Sequence, residues 1–280
     1  MIIVSESKKE LSKEEKKLNP QILYHYTNRD GLLGMINSFE LWATDIHYLN
    51  DSSEYDLAKI LFDERMSNII NGIKLEITRN MIEKMWDNFV YESNPIYSFS
   101  LTTKGDQLSQ WRAYGNSNNS LSVGFDAPLL SEYIFDQKFM KLEYIRYSKI
   151  EQTKMLDRLE KSLRTRLKSL DNHEVITNFF AEFCHVGSFI KHRAFYEERE
   201  WRIIVNSKGL HSEDIHFRAG KNFLIPFYPI SIGEYLKDLI KKVIVGPSHH
   251  SSLEIEAWKR FFDSHNMDVL VTESTIPYRT

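Results

Sequence analysis

The stretch Phe195-Tyr196-Glu197-Glu198-Arg199-Glu200-Trp201-Arg202-Ile203-Ile204-Val205 runs a charged cluster straight into an apolar segment. Alternation along a strand puts Glu200, Arg202 and Ile204 on one face and Trp201, Ile203 and Val205 on the other. A carboxylate at the mouth of an apolar strand is costly to desolvate unless a cation or donors hold it. The position therefore marks either a structural ion pair or a site. Edge strands often carry charge, so residue types alone leave both open. Two carboxylates with separated pKa values would serve glycoside or nucleotide hydrolysis, with Glu197, Glu198 and Glu200 as acids and Arg199 and Arg202 as their partners.

Three further constellations carry polar chemistry. In Tyr24-His25-Tyr26-Thr27 a histidine flanked by aromatics is placed to donate to a ligand hydroxyl, or else to satisfy the backbone in a core. His47-Tyr48-Leu49-Asn50-Asp51 offers a tyrosine-bearing loop that closes on a helix cap at Asp51. The third pairs the hydroxyl face of a strand, Ser98, Ser100 and Thr102, with Gln110-Trp111-Arg112-Ala113-Tyr114-Gly115. There Trp111 and Tyr114 could stack a flat ring and Arg112 neutralise a phosphate. Equally, the two aromatics could be core and Arg112 salt-bridged.

No phosphate-binding lysine loop, dinucleotide glycine fingerprint, cysteine pair or His-Glu-x-x-His helix occurs. His249-His250 is adjacent rather than helically spaced and follows Gly246-Pro247-Ser248, which reads as a surface turn. A metal enzyme is not expected.

The elements that must position these residues are legible from periodicity. Strands are expected at 22–26, 40–44, 96–102, 121–125 and 139–147, then at 200–206, 213–218, 222–227, 240–245 and 267–273. Helices are expected at 9–18, 30–38, 52–71, 74–91, 150–170, 173–191 and 251–264, with one or two turns at 107–113. With no repeat or linker, the expectation is a peripheral helix in residues 1–20 and one α+β domain over 21–280, interrupted by a helical insertion at about 139–195.

Composition bounds the partners. Hydrophobic residues at 42% place the chain among globular proteins, and a net charge of -3 gives no global basic field for nucleic acid. A local basic face around Lys161, Arg164, Arg166 and Lys168 would have to do that work. Cys184 is the only cysteine, so no disulfide can close within the chain, which suits a reducing cytoplasm. No signal peptide or transmembrane-length run is visible, and a cytoplasmic protein without membrane partners is expected.

Taken in order, Tyr24-His25-Tyr26-Thr27, Tyr48-Leu49-Asn50-Asp51, Ser98-Phe99-Ser100-Leu101, Gln110-Trp111-Arg112-Ala113-Tyr114-Gly115, Val123-Gly124-Phe125-Asp126 and Glu198-Arg199-Glu200-Trp201-Arg202 resemble a widespread bacterial family of unknown function, over nearly residues 22 to 279. The ending Glu273-Ser274-Thr275-Ile276-Pro277-Tyr278-Arg279 is similar to that family's too. More distantly, the histidine and threonine on the first strand, the tyrosine and asparagine loop, the hydroxyl strand and the late glutamate strand resemble DarT-like ADP-ribosyltransferases.

That second resemblance implies a central split, mostly antiparallel sheet flanked by helices that clasps NAD as substrate. It implies His25 and Glu200 as catalytic residues, with Glu200 steadying the nicotinamide ribose as its glycosidic bond breaks. Tyr26, Thr27, Asn50 and Ser100 would line the nucleotide, and Tyr48 or Tyr97 would supply the stacking ring. Beside the residues so implied, Trp111, Tyr114 and Arg202 are expected in the cofactor site without a metal, and Arg112, which has no counterpart in that superfamily, is expected from its charge to contact the pyrophosphate. Such an enzyme would be a toxin or phage-defence effector that modifies nucleic acid or protein, held in check by an antitoxin or immunity partner. Two other functions remain open: a noncatalytic module that binds a nucleotide or nucleic-acid end through Trp111, Arg112 and Tyr114, and a metal-free hydrolase of a glycosidic bond.

Overall fold

The computed structural model describes residues 19–49, 54–89, 95–114, 120–137, 139–168, 172–206, 210–220, 222–248 and 250–277. The charged helix expected at 9–18, Asn50, the helix-start signal at Asp51 and Ser52, the loop 115–119 and His249 lie outside them.

Strand β1 (Ile22–Asn28) passes directly into helix α1 (Arg29–Ser38), because the Asn28 side chain accepts the Gly31 amide at 2.8 Å and caps the first turn. Phe39, at φ 55°, turns the chain out of the helix into β2 (Glu40–Asp45). Helices α2 (Glu54–Asn71) and α3 (Glu76–Asp87) lead to β3 (Ile96–Thr102). The short α4 (Leu108–Tyr114) precedes β4 (Ser120–Asp126).

Helix α5 (Ala127–Phe135) comes next, started by the Asp126 carboxylate on the Leu129 amide and by a proline in the first turn. It was not expected from periodicity, although Asp126-Ala127-Pro128 carries its start signal. Strand β5 (Met140–Tyr144) and helices α6 (Lys149–Arg166) and α7 (Asn172–Gly187) fill the span before β6 (Glu200–Asn206). The segment expected as a helical insertion thus opens with a strand of the sheet, since β5 pairs along β6. Strands β7 (His216–Ala219), β8 (Leu224–Ser231) and β9 (Ile240–Val245), helix α8 (Ser251–Ser264) and β10 (Leu270–Glu273) complete the order. Pro226 and Pro229, which suggest a strand end, lie inside β8.

The ten strands form one open sheet in the order β10-β9-β4-β1-β3-β2-β8-β7, with β6 joined to β3 and β5 to β6. Among the named strands of the described residues, only β9 and β10 pair in parallel, so the expected α+β class with a mostly antiparallel central sheet is what the chain adopts.

The sheet divides at β3. Along one edge β3 pairs with β6 from Ile96↔Asn206 to Thr102↔Glu200. Along the other it meets β1 at Tyr24↔Thr102 and β2 at Thr44↔Ser98 and Asp45↔Tyr97. Between these two junctions β1 and β2 splay apart, leaving the stretch around Ser100 without a strand partner on that side.

One face of the sheet is sealed by Leu23, Phe99, Val123, Phe125, Ile203 and Val243 against α1, α5 and α8. A second core, among α2, α3, α6 and α7, gathers Phe62, Trp86, Phe179 and Phe183. A smaller cluster containing Ile96, Ile145, Cys184, Phe189 and Ile204 joins that helical layer to the opposite face of the sheet. The polar face of β3 and β6 is left between these cores.

Candidate active site

The fork sets the first functional side chain. With no strand opposite it, the Ser100 carbonyl takes its hydrogen from the His25 ring instead, Nδ1 to O 2.8 Å, and the imidazole stacks on Phe99 at 4.2 Å. A carbonyl can only accept, so Nδ1 carries the proton. Burial, reinforced by the nearby Arg218 charge and opposed by the Ser100 bond, drops the His25 pKa to about 4, and the ring is neutral at physiological pH. Its remaining nitrogen, Nε2, is then a lone-pair acceptor. The expectation that His25 donates to a ligand hydroxyl is not met by this tautomer, since its one N–H is committed to the Ser100 carbonyl.

Glu200 opens β6 immediately after Arg199, whose φ of 47° swings the chain out of a 3-10 turn. It faces inward beside Arg202, two residues on, as alternation requires. Arg202 Nε lies 2.7 Å from Glu200 Oε1 and its second nitrogen 3.1 Å from Oε2, while Lys191 Nζ lies 3.0 Å from Oε2. Arg202 also donates to the Ser188 carbonyl at 2.9 Å, and the Glu200 amide donates to the Tyr147 hydroxyl at 3.1 Å. Burial alone would raise the Glu200 pKa, but the Arg202 and Lys191 charges outweigh it and hold the carboxyl down at about 2.

Lys191 also bonds Glu198 at 2.7 Å. Glu198 is more open to solvent, and burial, only partly opposed by Lys191, raises its pKa above the ordinary carboxylate range. One ammonium therefore bridges two carboxylates with opposite shifts. Sequence reasoning missed Lys191, because it lies after α7, where the Arg146↔Ile190 bridge brings the chain alongside the sheet.

These groups line one cleft of about 510 Å³, which includes His25, Thr27, Ser100, Tyr114, Glu198 and Glu200. Tyr48 stands at its wall, 40% exposed and edge-on to Phe223 at 5.7 Å, so it is available to a flat ligand ring. Tyr97 does not line the cleft. Alternation turns it to the sealed face of the sheet, where it is buried with Phe99 and Leu101, so of the two rings only Tyr48 stands on the cleft wall.

Three other expected residues have structural work. Trp111 is buried, donates to Asp106 at 2.8 Å and packs edge-on to Tyr26 at 4.7 Å; it is not free to stack on a ligand. The Tyr26 hydroxyl, though its ring borders the cleft, donates to the Lys104 carbonyl at 2.8 Å and accepts the Gln107 amide at 3.0 Å, which staples the β3–α4 loop. Arg112 is exposed and is not among the cleft residues, because two steps of about 100° around α4 put it on the side away from Tyr114. The cleft's guanidinium from outside β6 is Arg218 of β7, which donates to Thr44 Oγ1 at 2.8 Å. Nothing in the local sequence distinguishes Arg218 from any other strand arginine; only the β7–β8–β2 pairing brings it there.

Among the described residues, no group of His, Cys, Asp and Glu is arranged to hold a metal ion, and no helix is long and apolar enough to cross a membrane.

Residues 110–203 match the family model described as Protein of unknown function (DUF2971). The matched stretch contains Lys191, Glu198, Glu200 and Arg202, and the expected resemblance to a family of unknown function is found there. No curated protein and no solved structure matches the chain.

Proposed function

We propose that this chain is an NAD-dependent ADP-ribosyltransferase. The observation that carries the reading is the fork in the sheet, where a neutral His25, whose one N–H is spent on Ser100, and a Glu200 held ionised at physiological pH share one cleft. NAD is a flat-ringed dinucleotide rich in ribose hydroxyls. His25 Nε2 accepts one such hydroxyl, Tyr48 or Tyr114 covers the nicotinamide ring, and Thr27 and Ser100 supply shorter contacts.

In the reaction the bond between the nicotinamide nitrogen and the ribose carbon breaks, and its electron pair leaves with neutral nicotinamide. The ribose becomes an oxocarbenium cation. Glu200 is fixed by two cations and needs no reorganisation to meet that charge, which is the condition under which an electrostatic contribution is largest. The acceptor then bonds to the ribose carbon from the other side and gives up a proton. Glu198, whose raised pKa brings it nearer neutrality, takes it. The acceptor is a nucleic acid or a protein, and a toxin or phage-defence role with an antitoxin partner fits an enzyme that consumes NAD inside a cell.

A second reading draws on the same carboxylates. Their opposite shifts would also let water serve as acceptor, which makes the chain an NAD glycohydrolase. A binding module built on Trp111, Arg112 and Tyr114 has less support, since Trp111 is buried.

The test is mass spectrometry of NAD incubated with the protein and a cell lysate. Transfer predicts nicotinamide release with ADP-ribose attached to a macromolecule, whereas hydrolysis predicts free ADP-ribose without lysate. Glu200→Gln should abolish either, and His25→Asn should raise KM more than it lowers kcat. Binding of NAD with no release by the folded wild type would leave only a binding protein.

A further inference from the structure

Among the described residues, the cleft lining holds three cations and two carboxylates, Lys191, Arg202 and Arg218 with Glu198 and Glu200, while His25 is neutral. Lys191 and Arg202 are both committed to the glutamates. Arg218 is the charge left over. No carboxylate lies within ion-pairing distance of it among the described residues; its hydrogen bond goes to the neutral Thr44 hydroxyl, and its guanidinium lies 5.9 Å from the Trp42 and Phe227 ring centres. A half-buried arginine in this position bears a desolvation cost that no carboxylate among the described residues offsets, and burial lowers its pKa.

Two further donors in the same cleft have no partner among the described residues. The Ser98 hydroxyl, on a residue only 2% exposed, and the Trp42 indole N–H are both buried and unpaired. The register explains why they meet. Thr44 is the direct cross-strand neighbour of Ser98, and Trp42 lies two residues before Thr44 on the same face. Buried polar groups are nearly always satisfied, and a guanidinium with two unpaired donors beside it calls for an acceptor carrying negative charge.

We propose that Arg218, Ser98 and Trp42 form the seat of a phosphate or diphosphate group in the bound ligand. The seat follows from the cleft's unpaired donors and surplus positive charge; only the identity of the rest of the ligand rests on the NAD reading. Arg218 grips the anion, and the Ser98 hydroxyl and Trp42 N–H orient it. The cleft therefore selects nucleotides over nucleosides. Thr44 is a positioning residue that holds the guanidinium by one side.

The experiment is titration calorimetry of the full chain with ADP, adenosine and inorganic pyrophosphate. ADP should bind at least ~10-fold more tightly than adenosine, as a charge-assisted contact with a desolvated arginine implies, and pyrophosphate should compete with it. Arg218→Gln should erase the preference for ADP while leaving adenosine binding unchanged, and Arg218→Lys should recover part of it. Trp42→Phe and Ser98→Ala should each reduce it by a smaller factor. Arg218 is on a solvent-accessible edge strand, so an unchanged melting temperature for Arg218→Gln serves as the fold control. Equal binding of ADP and adenosine by wild type, an undiminished ADP preference in Arg218→Gln, or failure of both ADP and pyrophosphate to bind would each overturn the site. Arg218-dependent binding of ADP and pyrophosphate without NAD turnover would keep the phosphate seat and remove the transferase. NAD turnover with KM unchanged in Arg218→Gln would do the reverse.

Discussion

His25 and Glu200 do opposite things to stability in acid, and the difference can be measured. The His25 pKa falls from 6.5 in an unfolded chain to about 4 in the fold, so between those values the unfolded chain binds the extra proton. Stability is at its full value above pH 6.5 and declines as pH drops toward 4, by on the order of 2 kcal/mol after allowing for the ring's partial exposure. The Glu200 pKa falls from 4.5 to about 2, so its contribution is present above pH 4.5 and is lost below it. We expect His25→Gln to flatten the melting temperature between pH 6.5 and 4 while leaving the steeper loss below pH 4.5. An unchanged slope in the upper window would show that folding does not lower the His25 pKa. Glu200→Ala leaves Arg202, 1% exposed, without its bidentate partner, and we expect it to destabilise the protein by ~3–5 kcal/mol in denaturant titration. Ion pair and site, the alternatives left open by the sequence, are thus the same residue: Glu200 is clamped as a structural charge and still lines the cleft.

At the scale of elements, the loop between β3 and α4 positions the cleft wall through few contacts. Tyr26→Phe removes the part-buried hydrogen bonds to the Lys104 carbonyl and Gln107 amide, and we expect a loss of ~1 kcal/mol with weakened ligand binding, read by thermal melts and calorimetry. Asp106 in the same loop accepts from the Trp111 indole, the Ser274 hydroxyl and both the amide and hydroxyl of Thr275, which fastens the end of the chain across α4. Asp106→Ala should therefore release the segment after β10, seen as increased proteolysis beyond Glu273. Most strands and long helices were legible because a half-buried strand and an amphipathic helix write different periods. The fork was not, since it arises from β1 and β2 pairing with different ends of one β3 edge, and register between distant strands leaves no local signal. For the same reason His25, Ser100 and Glu200 were readable as polar residues on strands, whereas Lys191 and Arg218 were not readable as their neighbours. Trp111 and Tyr97 look like ligand aromatics in one dimension; the fold uses both as core.

Across the whole molecule, a sheet core and a helical core meet at the cluster around Cys184 and Ile204, and the cleft occupies the polar face they leave uncovered. Cys184 is fully buried, with burial pushing its thiol up to about 12, so it reports on that joint. Thiol reagents should modify it only at the rate of global unfolding; rapid labelling under native conditions would mean that the two layers separate readily. The proposed activity on a nucleotide rests on the placement of a clamped carboxylate, a neutral histidine and a surplus arginine around one fork. The most direct measurement of that claim is nicotinamide release from NAD by the purified protein, with and without lysate, compared with Glu200→Gln of verified fold. The account predicts release by wild type and none by the variant; no release by folded wild type under either condition, or equal release by the variant, would contradict it.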